Sequence, residues 1–158
     1  MARDRSLDRV VRSRVAGIAV PRPFSVEALC ARLAHDRGRP LRLLPLPELP
    51  GQGQPCGMWI ATDTVDYIFH ARGTSPLHRQ NIVLHEIGHM LCDHTGRDGG
   101  VASMFSLLDP AAVERVLARG HYSTPQEEEA ELAAAFILER AGWHGTDARP
   151  FGDLDDLF

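Results

Sequence analysis

A chain of 158 residues, 44% hydrophobic and 6% aromatic, is long enough for one core and too short for two ordinary domains. Its formal net charge of -4 argues against a surface built to coat nucleic acid, and no apolar run reaches the length of a membrane span or a secretory h-region. Three scattered cysteines, Cys30, Cys56 and Cys92, suggest no disulfide framework and point to a reducing, cytoplasmic setting.

Residues 1–23 are locally basic through Arg3, Arg5, Arg9, Arg12, Arg14 and Arg22, and read as an extension, flexible or helical, whose charges face water. "SVEALCARLAHDRG" opens on a capping Ser25, spaces Val26, Leu29, Cys30 and Leu33 helically, and stops at Gly38. A short strand near Leu41 to Leu44 follows, then a loop rich in proline and glycine. "MWIATDTVDYIFHA" reads as a hairpin turning at Asp63 and Thr64, with Val65, Tyr67 and Phe69 on one face and Asp66, Ile68 and His70 on the other.

Ser75, Pro76 and Gly96 predict one long helix across "NIVLHEIGHMLCDH". The same grammar predicts helices from Asp109 to Gly120 and from Ser123 or Thr124 to Gly142, and residues 146–158 read as a short acidic tail. The expected fold is α+β, a small and mostly antiparallel sheet of about three strands against a helical half, with residues 24–145 as the one domain.

Polar groups in the apolar run Ile82 to Leu91 need a reason, because unpaired imidazoles in a buried helix are costly. Residues 85–89 spell HEIGH, an HExxH motif. Four-residue spacing sets His85 and His89 about 40° apart on one face, so both imidazoles can share one tetrahedral ion. Glu86 lies about 100° round from His85, placed to act as general base on a water rather than as a ligand. Gly88 costs about 1 kcal/mol of helix propensity, which suggests that another element comes close there.

A catalytic zinc ion wants a third protein ligand. His94, nine residues after His85, would point away on a continuing helix and reads as a helix-end residue, while Cys92 lies further along the axis and reads as a packed thiol. "EEEAELAAAFILER" offers better: Glu127 as ligand, with Glu128 as its rival, and Glu131 orienting His85 from behind, on a helix whose Ala130, Ala134 and Ala135 permit close approach. An oxyanion or substrate contact could come from His70, His78, His121 or Tyr122, and the spacing does not choose among them. Cys56 could cap the metal but reads first as a turn cysteine, and the hairpin edge near Tyr67 could receive an extended peptide.

Together, "HEIGHMLCDH", "EEEAELAAAFILER", the strand "DYIFHA" and the helix "PLHRQNIVL" make residues 24–140 resemble the ImmA/IrrE-type metallopeptidases, which are gluzincin-like. Two features depart from the family's pattern: Glu131 stands where Asn or Asp is usual, and Ala133 where Phe is usual. The resemblance implies one catalytic Zn2+, a bacterial cytoplasmic protein, and a zinc metalloendopeptidase of narrow specificity. Its partner would be a helix-turn-helix repressor in a stress-response, mobile-element or toxin-antitoxin type system, with no direct nucleic-acid binding and no membrane. The alternative is a regulatory protein that sequesters such a repressor without cutting it.

Overall fold

The structure, a computed structural model, describes residues 5–46, 56–62, 64–94 and 122–142. The helix expected over 109–120, His121 and the acidic tail at 146–158 lie outside the described residues. The described elements are α1 (Arg5–Ala16), α2 (Val26–Arg37), β1 (Leu41–Pro45), β2 (Gly57–Ala61), β3 (Asp66–His70), α3 (Pro76–Leu91) and α4 (Thr124–Arg140).

Three of these helices start where a serine hydroxyl takes an amide that would otherwise lack a partner. Ser25 Oγ accepts from the Ala28 N–H at 3.0 Å, Ser75 from His78 at 3.1 Å and Ser123 from Gln126 at 3.3 Å. At Ser123 the side chain of Gln126 reaches back to the cap's own N–H, closing a capping box that fixes where α4 begins. Helix α2 ends at Gly38, whose φ of 70° is open to glycine at little cost.

The strands form one sheet in the order β1-β3-β2, with β1 parallel and β2 antiparallel to β3. The class is therefore α+β with a small mixed sheet. The expected hairpin is the β2–β3 pair, in register with Trp59 opposite Ile68 and Met58 opposite Phe69. Trp59 and Ile68 join the helices in the main core, whereas Met58, Ile60 and Phe69, with Tyr67 beside them, cluster separately with Leu46. Tyr67 sits on the middle strand, paired on both sides with Arg42 and Ile60, so it is not at an edge as expected; among the described residues β2 carries the open edge on that side.

Asp66, fully buried at the start of β3, accepts from Arg37 Nε at 2.6 Å, Arg39 Nε at 3.1 Å and the Trp59 indole N–H at 3.2 Å. These bonds tie α2 to the sheet through one carboxylate. The basic residues 5–16 form α1, and its Val11 and Val15 enter the main core. Its end is held by the Arg140 guanidinium, which donates to the carbonyls of Val15 and Ile18, and Arg12 lies 3.9 Å over the Phe136 ring. No helix among the described residues is long and apolar enough to cross a membrane.

Helices α3 and α4 cross at close range. A Cβ built on Gly88 would lie 2.8 Å from Ala130 Cα and strike the Ala130 carbonyl, so only glycine permits this crossing. This seam brings the first turn of α4 onto the HEIGH segment.

Candidate metal centre

From Asn81 to Met90 every residue of α3 is buried. His85, Glu86 and His89 are 3%, 4% and 0% exposed, so their polar atoms must be matched inside the protein or by something it binds. One helical turn apart, the two imidazoles lie edge to face with ring centroids 4.9 Å apart, and their Nε2 atoms approach to 3.2 Å. Glu127, in the first turn of α4, brings Oε2 to 2.8 Å from His85 Nε2 and Oε1 to 3.4 Å from His89 Nε2.

Two imidazole nitrogens and a carboxylate thus face one another. Ligand atoms about 2.0–2.1 Å from a tetrahedral zinc stand about 3.3 Å from one another, close to the spacings found here. His85, His89 and Glu127 lie near enough together to hold a metal ion. Known protein families, curated proteins and solved structures offer no match to this chain.

The charges of the three groups are linked. Burial opposes the ionised form of Glu127, but the hydrogen bond with His85 and the His89 imidazole facing the carboxylate outweigh it and hold the carboxyl down to about 2. Burial also disfavours charged imidazole at both histidines. It dominates at His89, which falls to about 4, whereas at His85 the hydrogen bond to Glu127 and the charges of Glu86, Glu127 and Glu131 prevail and raise the pKa. Near neutral pH the centre keeps an ionised carboxylate and a neutral His89, the forms a metal ion takes.

The remaining predicted residues separate clearly. Glu128 is exposed on α4, so of the two rivals Glu127 is the one placed against the histidines. Glu131 is close enough for its charge to act on His85. Glu86 turns toward the start of β2: a Cβ on Gly57 would lie 3.1 Å from Glu86 Oε1 and 2.6 Å from Ile82 Cγ2. The base candidate thus borders β2, an edge strand among the described residues. Cys56 is half-buried beside it, and its thiol pKa is raised by burial first and by the charge of Glu86 second. Tyr122 stacks on His89, with centroids 3.5 Å apart and 13° between planes, so it covers one face of a ligand candidate.

His70 and His78 are not in the group. His70 ends β3 with Nδ1 3.2 Å from the Ala71 carbonyl, and burial lowers its pKa. His78 lies in the first turn of α3, seven residues before His85 and so about 10 Å along the axis.

His94 departs from the expected picture. The helix does not run on to Gly96 but ends at Leu91, with Cys92 as its cap and Asp93 at φ 56°. Asp tolerates the left-handed region better than most residues, and the turn it makes sends the chain back, so that the His94 N–H donates to the His89 carbonyl at 3.0 Å. Instead of pointing away, the His94 ring places Nδ1 2.8 Å from His89 Nδ1 and Nε2 2.8 Å from Glu129 Oε2. Cys92, His94 and Glu129 form a second group that could hold a metal ion. Helical periodicity hid both His94 and Glu129; the one sequence signal for them was an Asp just before the histidine, able to reverse the chain.

Proposed function

We propose that the protein is a zinc-dependent metallopeptidase of narrow specificity. The observation that carries this reading is the convergence of His85, His89 and Glu127 on one point with Glu86 next in sequence and buried beside them. A protein that only bound a regulator would have no use for a buried base at that position.

When bound there, zinc would supply Lewis acidity, lowering the pKa of a water and polarising the scissile carbonyl. His85 and His89, through Nε2, and Glu127, through its carboxylate, would hold the ion. Glu86 takes the proton from the attacking water and hands it to the leaving amine. Glu131 adds negative charge behind His85, and Tyr122 keeps the His89 ring in place by stacking. An extended substrate segment would add to the outer edge of β2, unpaired among the described residues, whose first residue, Gly57, lies against Glu86.

The substrate we infer is a helix-turn-helix repressor, on the strength of the sequence resemblance to ImmA/IrrE-type peptidases, in a bacterial cytoplasm. Specificity of that kind has to come from docking, so that only a partner presenting an extended segment beside the centre is cut. The test incubates zinc-loaded protein and its Glu86→Gln variant with helix-turn-helix regulators from the same organism, beginning with any encoded beside it, and with casein, each with and without chelator. Cleavage of the regulator by the wild type alone, abolished by chelator, is the expected result. Equal behaviour of wild type and variant would replace the enzyme by a sequestering protein.

A further inference from the structure

The other nitrogen of His89 faces a second histidine, His94, and the protons along that path can be counted. His94 Nε2 faces Glu129 Oε2 at 2.8 Å. A carboxylate accepts, so Nε2 of His94 carries a proton and, in the neutral ring, Nδ1 is a lone pair. His94 Nδ1 in turn lies 2.8 Å from His89 Nδ1, a contact that needs one proton between them. That proton belongs to His89 Nδ1, which leaves the lone pair of His89 on Nε2, the atom facing His85 and Glu127.

We propose that Glu129 and His94 are positioning residues that fix His89 in the tautomer whose Nε2 is free to take the metal, a relay running Glu129, His94, His89. The inference rests on the metal reading above. Metal-binding histidines are commonly oriented by an acceptor on the far nitrogen, and here that acceptor is a second imidazole with its own carboxylate. The path is built into the fold: the turn at Asp93 returns His94 to the helix it has just left, and α4 supplies Glu127 and Glu129 to the two ends. His94 is 5% exposed, so water does not compete for its nitrogens.

The same count decides against Cys92, His94 and Glu129 as a second metal site. An ion on His94 Nε2 would move the proton to His94 Nδ1, make His89 Nδ1 the acceptor and place a proton on His89 Nε2. The first centre would then lose a ligand. While the 2.8 Å contact between the two rings persists, the two groups cannot both bind metal.

Three variants separate these possibilities, with the 15N imidazole NMR of the metal-free protein and zinc affinity by chelator competition as readouts. Wild type should show His89 protonated at Nδ1 and His94 at Nε2, and should bind one zinc. Glu129→Leu removes the acceptor, and should mix the His89 tautomers and weaken zinc binding about 10–100-fold. Glu129→Gln keeps an oxygen that accepts from His94 and should restore the tautomer and most of the affinity. Cys92→Ala should change neither. A second zinc per chain that Glu129→Gln and Cys92→Ala both abolish would overturn the relay, as would wild-type affinity in Glu129→Leu. Wild type that takes up no zinc defeats the metal reading itself and the relay with it, whereas His89 protonated at Nε2 in a protein that does take up zinc defeats the relay alone. Glu129 is 31% exposed at its side chain, so these substitutions leave the core untouched.

Discussion

Asp66 and Glu127 are both carboxylates drawn into the protein against nitrogen donors, and the two end in opposite situations. Asp66 is surrounded by groups that always carry their protons: two guanidiniums and an indole N–H, each aimed at the carboxylate. That cluster is complete, and its role is to join α2 to the sheet. Glu127 faces two imidazole nitrogens that also face each other at 3.2 Å, with His89 driven toward its neutral form by burial. Once His85 gives up its proton, its nitrogen, that of His89 and the Glu127 carboxylate can all offer lone pairs to a cation, which the Asp66 cluster cannot. Buried charge alone therefore says little about function; the direction in which the donors and lone pairs point says more.

Breaking the closed cluster should cost the most stability and leave the other untouched. Removing one partner of a buried ion pair costs about 3–5 kcal/mol, and the lower end applies to Asp66→Ala because Arg37 and Arg39 keep 27% and 25% of their side chains in contact with water. Urea unfolding should show a loss of about 3 kcal/mol, with zinc uptake of the folded variant unchanged. Loss of zinc binding by a variant that remains folded would mean the two clusters are coupled.

The open cluster should respond to metal instead. Zinc at 100 times its Kd should stabilise the wild type by about 2.7 kcal/mol and leave Glu127→Ala unmoved, read as the shift in unfolding midpoint. The pH dependence follows from the pair that His85 and Glu127 make. In the metal-free protein the raised pKa of His85 gives stability that is present below its unfolded value of 6.5 and lost as pH rises through the raised one. On the carboxylate side, stability is present above the unfolded value of 4.5 and lost as pH falls toward about 2. Zinc needs His85 deprotonated, so the zinc increment should grow as pH rises above 6.5. An increment that shrinks over that range would contradict the assignment of His85 as a ligand.

A smaller effect should come from the seam that sets the geometry. Overpacking costs about 1–3 kcal/mol, and the upper end applies because the new methyl meets backbone atoms of Ala130 that cannot swing aside, so Gly88→Ala should lose about 2 kcal/mol even after a helix-propensity gain of up to about 1 kcal/mol. Because the new methyl pushes against Ala130, three residues from Glu127, the variant should also bind zinc more weakly. Equal zinc affinity would show that Glu127 reaches the histidines independently of the seam.

Much of this arrangement was legible in the sequence because it depends on local rules. Ser25, Ser75 and Ser123 announce their helices by capping, and Gly88 with Ala130 announces a close crossing because a missing side chain inside a helix needs a reason. His85 and His89 follow from the helical period alone. What stayed hidden depends on where the chain leaves that period. The helix stops at Leu91 because Asp93 adopts a positive φ, and extrapolating to Gly96 turns His94 the wrong way. The choice between Glu127 and Glu128 needs the rotation of α4 against α3, and the parallel pairing of β1 with β3 needs the strand order; neither is written in any short stretch.

The most direct test of the central claim is the zinc content of purified single variants. Wild type should hold about one zinc per chain, Glu127→Ala should hold none, and Glu128→Ala and Glu86→Gln should hold as much as the wild type. Full zinc in Glu127→Ala, with loss in Glu128→Ala, would contradict the centre described here.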